Sequence, residues 1–230
     1  MITAYAREGG MWPPDNESLL IEVGGRFSMW RSVTAGVPFG RFEGRLARAE
    51  AEQISREAEA AAGVGGLEHP PEEDAAVETI EVMGTRATMG HDDQPDGPWG
   101  KLVEHLRRLL DQLTDQPRAA VGVEIFEGGR AARLVHLGEE SLRVDFTEIA
   151  ARARLLEEGV IDEWRASPEV LAEVSSRGEF DVGRGWTLDL PFEHGFELKE
   201  GRRIRARVEL RAYEGDVPVV VSVTSPAATI

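Results

Sequence analysis

Arg203-Ile204-Arg205-Ala206-Arg207-Val208-Glu209-Leu210-Arg211-Ala212 alternates residue by residue, with charged side chains at the odd positions and apolar ones at the even positions. A period of two is the repeat of a β-strand, whose successive side chains point to opposite faces. The stretch therefore reads as a half-buried antiparallel strand. Working outward, Tyr213 to Asp216 supply a tight turn and Val217 to Thr224 a neighbouring strand. Upstream, Phe180 to Val182 and Trp186 to Leu190 add strands, while the small residues of Ser225 to Ile230 are expected to fray.

Further upstream, Ala119 to Phe126 and Ala132 to Leu137 flank Glu127-Gly128-Gly129, a hairpin signature, and Ser141 to Val144 form a short strand. Asp145 with Glu148 three residues later resembles a capping box. It predicts a helix with Phe146, Ile149, Ala150, Ala153 and Leu156 on its apolar face, closed by Gly159. A shorter helix starts at Ser167-Pro168. In the first half, Leu19 to Val23 and Phe27 to Arg31 are strands around Gly24-Gly25, and Arg41 to Leu46 is another. Ala47, Ala51, Ile54, Ala58 and Ala61 then share one helical face, ended by Gly63. After a loop over 64–76 come strands Val77 to Val82 and Thr85 to Met89. The next helix has Asp96 or Gly97 as cap, Pro98 in its first turn and an apolar stripe of Trp99, Leu102, Val103, Leu106, Leu109, Leu110 and Leu113. Residues 1–16, with Gly9, Gly10, Trp12, Pro13 and Pro14, read as an N-terminal arm. The expected fold class is α+β: two α/β-sandwich-like units with mainly antiparallel sheets. A ββαββα unit spans 17–117 and a strand-rich unit 118–230, with the boundary near Asp115 to Arg118.

Of the 230 residues, 41% are apolar and 30% charged, the balance of a chain that folds around its own core. There is no cysteine, which excludes disulfides, thiolate metal sites and a thiol nucleophile. Acidic residues number 42 against 26 basic ones, a formal charge of -16 spread over both halves, which disfavours nucleic acid and anionic membranes as partners. The chain has no secretory-type opening and no apolar run of membrane-spanning length, so a soluble cytoplasmic protein is expected.

No segment matches a P-loop, an HExxH helix, a GxSxG elbow or a kinase set, and no cofactor is expected. The glycines of Gly63-Val64-Gly65-Gly66 follow a helix, whereas a dinucleotide fingerprint follows a strand. His91, Asp92 and Asp93 form the most metal-like cluster. An EF-hand register from Asp92 puts Val103 where the bidentate glutamate belongs, so turn residues at the positive end of the next helix account for them. No two histidines are spaced i, i+4. His136 lies within a strand and His194 in a loop, and an enzyme built without short motifs would need them to converge with acids such as Asp92, Asp181 or Asp189. Arg203, Arg205 and Arg207, with Arg211, form a basic ridge on one strand face, interrupted by Glu209. The ridge either grips an acidic partner or is neutralised by carboxylates on neighbouring strands. Trp12 beside Pro13-Pro14 is a candidate exposed anchor, whereas Met29, Met83 and Met89 read as gap-fillers in strands.

Ile21-Glu22-Val23-Gly24-Gly25-Arg26-Phe27, the helix of Leu46 to Ala62, the strand pair of Glu78 to Met89 and the helix of Pro98 to Leu113 together resemble emfourin, the small protein inhibitor of thermolysin-like metalloproteases. The resemblance covers less than half the chain; Arg26 interrupts the family's glycine-glycine-phenylalanine opening, and residues 118 to 230 have no counterpart. It implies a noncatalytic module that docks on a protease through loops at one end of a sheet, and it assigns no inhibitory residue. The leading expectation is accordingly a noncatalytic protein-binding module, an inhibitor or regulatory partner. The competing ones are a hydrolase-like enzyme with a His/Asp/Glu site and an assembly subunit that offers a late strand edge.

Overall fold

The structure is a computed structural model that describes residues 3–10, 15–69, 75–126, 129–156, 163–193 and 201–229. In chain order the elements are β1 (Thr3–Gly9), β2 (Asp15–Ile21), β3 (Arg26–Arg31), β4 (Val33–Ala35), β5 (Phe39–Arg45), α1 (Arg48–Gly63), β6 (Leu67–Glu68), β7 (Ala76–Val82), β8 (Thr85–Gly90) and α2 (Gly97–Gln112). There follow β9 (Pro117–Phe126), β10 (Ala131–Gly138), β11 (Leu142–Leu155), β12 (Glu163–Arg165), α3 (Pro168–Ser175), β13 (Glu179–Val182), β14 (Thr187–Pro191), β15 (Arg203–Glu214), β16 (Val217–Thr224) and β17 (Ala228–Thr229). The fold is α+β and strand-rich. No helix among the described residues is long and apolar enough to cross a membrane. The chain divides into two compact units, Met1–Arg31 with Arg41–Gln116, and Ser32–Gly40 with Pro117–Ile230.

In the first unit the strand order is β5-β3-β2-β1-β7-β8-β6, with the pairs from β3 to β8 antiparallel and the short β6 parallel to β8. The opening residues, expected to be an arm, instead form β1. Thr3 to Gly9 pairs with β2 on one side and β7 on the other, and Tyr5 is buried. Their alternation of Tyr5 and Arg7 with small residues carries too little hydrophobicity to mark a strand, and only pairing on both edges secures one. Trp12 lies outside the described residues. The two long helices agree with the expected stripes: α1 buries Ile54, Ala58 and Ala61, and α2 buries Trp99, Leu102, Val103, Leu106, Leu109 and Leu110. The β2–β3 turn sits so close to α1 that a Cβ on Gly25, whose φ is +80°, would lie 2.8 Å from the Ala51 Cβ. Met29 and Met89 fill the core as expected. Met83 does not: it is exposed in the β7–β8 turn at a φ of 52°.

In the second unit β9 and β10 form an antiparallel hairpin, and β14 pairs antiparallel with the other edge of β10. A second group runs β12-β11-β15-β16-β4, with β13 on β11 and β17 on β15. β4 comes from the first half of the chain and pairs in parallel with β16, Ser222 opposite Val33. Nearby, β9 passes so close to Gly40 that a Cβ there would meet the Ala119 carbonyl at 2.4 Å, which only glycine allows. The tail expected to fray is held in part, since Ala228 pairs with Ile204 and Ser225 is buried.

The helix expected over 145–159 is absent as far as the described residues run: Leu142–Leu155 is one long strand. Leu142, Val144 and Phe146 face the core, Thr147 and Glu148 are exposed, and Ile149, Ala151, Ala153 and Leu155 resume the alternation; between the pairs Asp145–Arg211 and Ala150–Glu209, β11 holds three more residues than β15. The Asp145 carboxylate does not cap a helix. It accepts from the Thr147 N–H at 2.9 Å and the Thr147 hydroxyl at 2.5 Å, an Asx turn that fixes the bulge.

Candidate functional site

The even residues of β15, Ile204 to Ala212, are buried, so the odd residues stand on the outer face, as the alternation predicts. Register decides who stands beside them. Arg207 lies opposite Arg152 of β11, and Arg205 opposite Arg154. Across the other edge of β11, Arg152 faces Arg165 of β12 and Arg154 faces Glu163. Directly opposed residues share a face, so arginines occupy adjacent positions on three strands. Like charges so placed repel each other and weaken the pairing.

Neutralisation is partial. Glu209 lies 3.1 Å from an Arg152 nitrogen and 2.8 Å from Arg207 Nε, and Glu163 lies 3.6 Å from Arg152. Arg207 also donates to the Ser222 hydroxyl at 2.9 Å. Among the described residues, Arg154 and Arg205 have no carboxylate within ion-pair distance. At the far end of the strand the balance differs, because Arg211 stands opposite Asp145 and pairs with Glu148 at 2.7 Å. Thus of the ridge seen in sequence, Arg211 is tied by acids, Arg207 is shared, and Arg203 and Arg205 are exposed. Arg152 and Arg154 escape a sequence reading that makes residues 145–159 a helix, and Arg165 escapes it because the short β12 carries no strand signal of its own. The alternation of Ala151, Ala153 and Leu155 with Arg152 and Arg154 was the signal that places them.

The first unit holds a second charge cluster, in its interior. At one register Arg31, Glu17, Arg7 and Glu78 follow one another across β3, β2, β1 and β7, alternating in sign. Arg31 donates to Glu17 at 2.7 Å and to the Leu110 carbonyl of α2 at 2.9 Å, and Arg7 forms an ion pair with the other Glu17 oxygen. Glu78 accepts from the Tyr5 hydroxyl at 2.8 Å and from Arg107 of α2 at 2.7 Å, and His91 Nδ1 lies 2.6 Å from it. Burial first, and the Glu78 charge next, push the Tyr5 phenol up, so it stays a hydrogen-bond donor. Each group is committed to a partner, the condition under which buried charges are tolerated. Between the two long helices, His105 is buried with its ring nitrogens each 2.6 Å from a carboxylate of α1, Glu57 and Glu50. The hydrogen bond from His105 is the first cause of a lowered Glu50 pKa.

The metal-like cluster is otherwise employed. His91 joins Glu78, and the Asp93 carboxylate accepts from the Gly90 N–H at 2.7 Å and lies 2.9 Å from His69 Nδ1. Asp92 sits in the same turn, and among the described residues no three metal-ligating side chains converge. Among the described residues, of the groups named for an enzyme, His136, Asp181 and Asp189 each have partners of their own. His136 is buried in β10 with its Nε2 2.9 Å from the Glu140 carbonyl, and burial lowers its pKa. Asp189 is engaged by Arg133 at 2.6 Å, which lowers its pKa, and Asp181 faces Arg143 across the β11–β13 pair. His194 lies outside the described residues. Comparison of the chain with protein-family models, curated proteins and solved structures gives no match.

Proposed function

We propose that the chain is a noncatalytic protein-binding module that receives a carboxylate-rich segment of a partner protein across the arginine face of β11, β12 and β15. The observation that carries this reading is the register that sets Arg152 opposite both Arg165 and Arg207, and Arg154 opposite Arg205. An arrangement that costs stability in the free protein is relieved when an acidic chain lies between the guanidiniums, each of which offers a fork of donors to a carboxylate. The resemblance to emfourin supports the same noncatalytic class, with inhibition of a protease as its specific form.

Fluorescence anisotropy with a labelled glutamate-rich peptide and a lysine-rich control tests the reading. The acidic peptide is expected to bind at low salt and to weaken as salt screens the contacts. The Arg203→Ala/Arg205→Ala/Arg207→Ala variant is expected to lose that binding. Equal affinity of the variant and the parent protein for the acidic peptide, or preference for the basic one, would remove the basis of the proposal.

A further inference from the structure

Resting on the reading of this face as an acidic docking surface, we infer that the cleft at its centre is a binding site for a phosphate monoester carried on the partner segment. The cleft, about 270 Å³, is lined by Arg152, Arg154, Leu156, Glu163, Arg205, Arg207 and Thr224. Its charge is not balanced by the described protein. Four guanidiniums, from Arg152, Arg154, Arg205 and Arg207, meet the two carboxylates of Glu163 and Glu209, an excess of two positive charges.

That excess matches the charge of a phosphate monoester, about -1.5 to -2 near neutral pH, and exceeds that of a single carboxylate. The geometry favours the same ligand. Arg154 and Arg205 come from directly opposed positions on adjacent strands, so one tetrahedral group between them can accept from both planar forks. Thr224, opposite Arg207 on β16, adds a hydroxyl to the lining, and Leu156 adds an apolar wall. A phosphodiester carries one charge per phosphate, and an extended nucleic acid would also meet the field of a chain whose formal charge is -16. A phosphorylated protein segment places about two charges on one group and, with its charge confined to a short stretch, meets less of that field than an extended polyanion.

The experiment compares one peptide in three forms, with phosphoserine, glutamate or serine at its centre, together with inorganic phosphate and a single-stranded oligonucleotide. The phosphopeptide is expected to bind about tenfold or more tightly than the glutamate form. Inorganic phosphate is expected to raise the melting temperature of the parent protein, weakly and in competition with the phosphopeptide. The Arg154→Gln/Arg205→Gln variant is expected to lose the preference for phosphate yet melt at the same or a higher temperature, because opposed like charges have been removed. An Arg177→Ala variant, altered just past the end of α3, should bind as the parent does.

Equal binding of the phosphorylated and glutamate forms overturns the phosphate site and leaves the acidic-segment reading standing. Failure of every acidic peptide overturns both. Tighter binding of the oligonucleotide than of the phosphopeptide assigns the cleft to another ligand. A marked loss of melting temperature in the double variant makes the arginine pair structural.

Discussion

Glu17 is buried on β2 between the half-buried Arg7 and the buried Arg31, and it pairs with both. Removing one partner of a buried ion pair leaves the other charge desolvated, so Glu17→Gln is expected to cost about 3–5 kcal/mol in urea unfolding. A loss within the range of surface substitutions would show that water reaches the row. His136 gives a prediction in pH. Burial holds its imidazole below the ordinary value of 6.5, so the folded state favours the neutral ring. The stability this supplies is present above pH 6.5 and is lost as pH falls through the lower folded value. His136→Gln keeps a donor for the Glu140 carbonyl and removes the titration. Its unfolding free energy should therefore fall less than the parent's as pH drops below 6.5, and identical slopes would refute the assignment. Glu50 behaves alike at lower pH, its contribution present above 4.5 and lost as pH falls through its lowered value. At this scale the sequence showed which residues carry charge. That Glu17 meets Arg7 and Arg31, and Glu78 meets Tyr5 and Arg107, follows from pairing between strands far apart in the chain.

Among the elements, β11 separates what local pattern can and cannot say. Asp145 and Glu148 at cap spacing, followed by apolar residues at intervals compatible with a helix, describe a helix start, yet the segment pairs as a strand. The bulge after Asp145 shifts the alternation by an odd number of residues, so neither a continuous period of two nor one of 3.6 fits the whole stretch. β15 as partner across most of its length, with β12 and β13 on its other edge, supplies hydrogen bonds that no isolated segment could predict. Where no bulge interrupts, as in β15 and α2, the period alone sufficed. The β7–β8 turn carries a testable strain. Met83 adopts a positive φ of 52° ahead of Gly84, a conformation that asparagine accepts with less strain than methionine. Because the Met83 side chain is exposed, Met83→Asn is expected to stabilise the protein by about 1 kcal/mol in chemical unfolding. A destabilised variant would mean that the methionine makes contacts worth more than the turn strain.

For the molecule as a whole, the division into units is not a cut at one point. The second unit includes Ser32–Gly40, whose β4 covers Ser222 to Thr224 of β16. A fragment starting at Pro117 lacks this strand and leaves the whole outer edge of an apolar strand open, a template for pairing with another copy. It is expected to self-associate in size-exclusion chromatography with light scattering, and addition of a peptide of residues 32–40 should restore the monomer. A monodisperse fragment without the peptide would show that β4 is dispensable. By itself the sequence determined the α+β class, the two long helices, the hairpin-rich C-terminal end and the basic ridge on β15, because these depend on periodicity, turn residues and charge within single segments. Only the tertiary structure decided that the opening residues form a strand inside a sheet, that β4 joins the second unit, and that Arg152 and Arg154 stand beside Arg207 and Arg205. Each of these depends on strand register, which is fixed by hydrogen bonds and packing between segments distant in the chain.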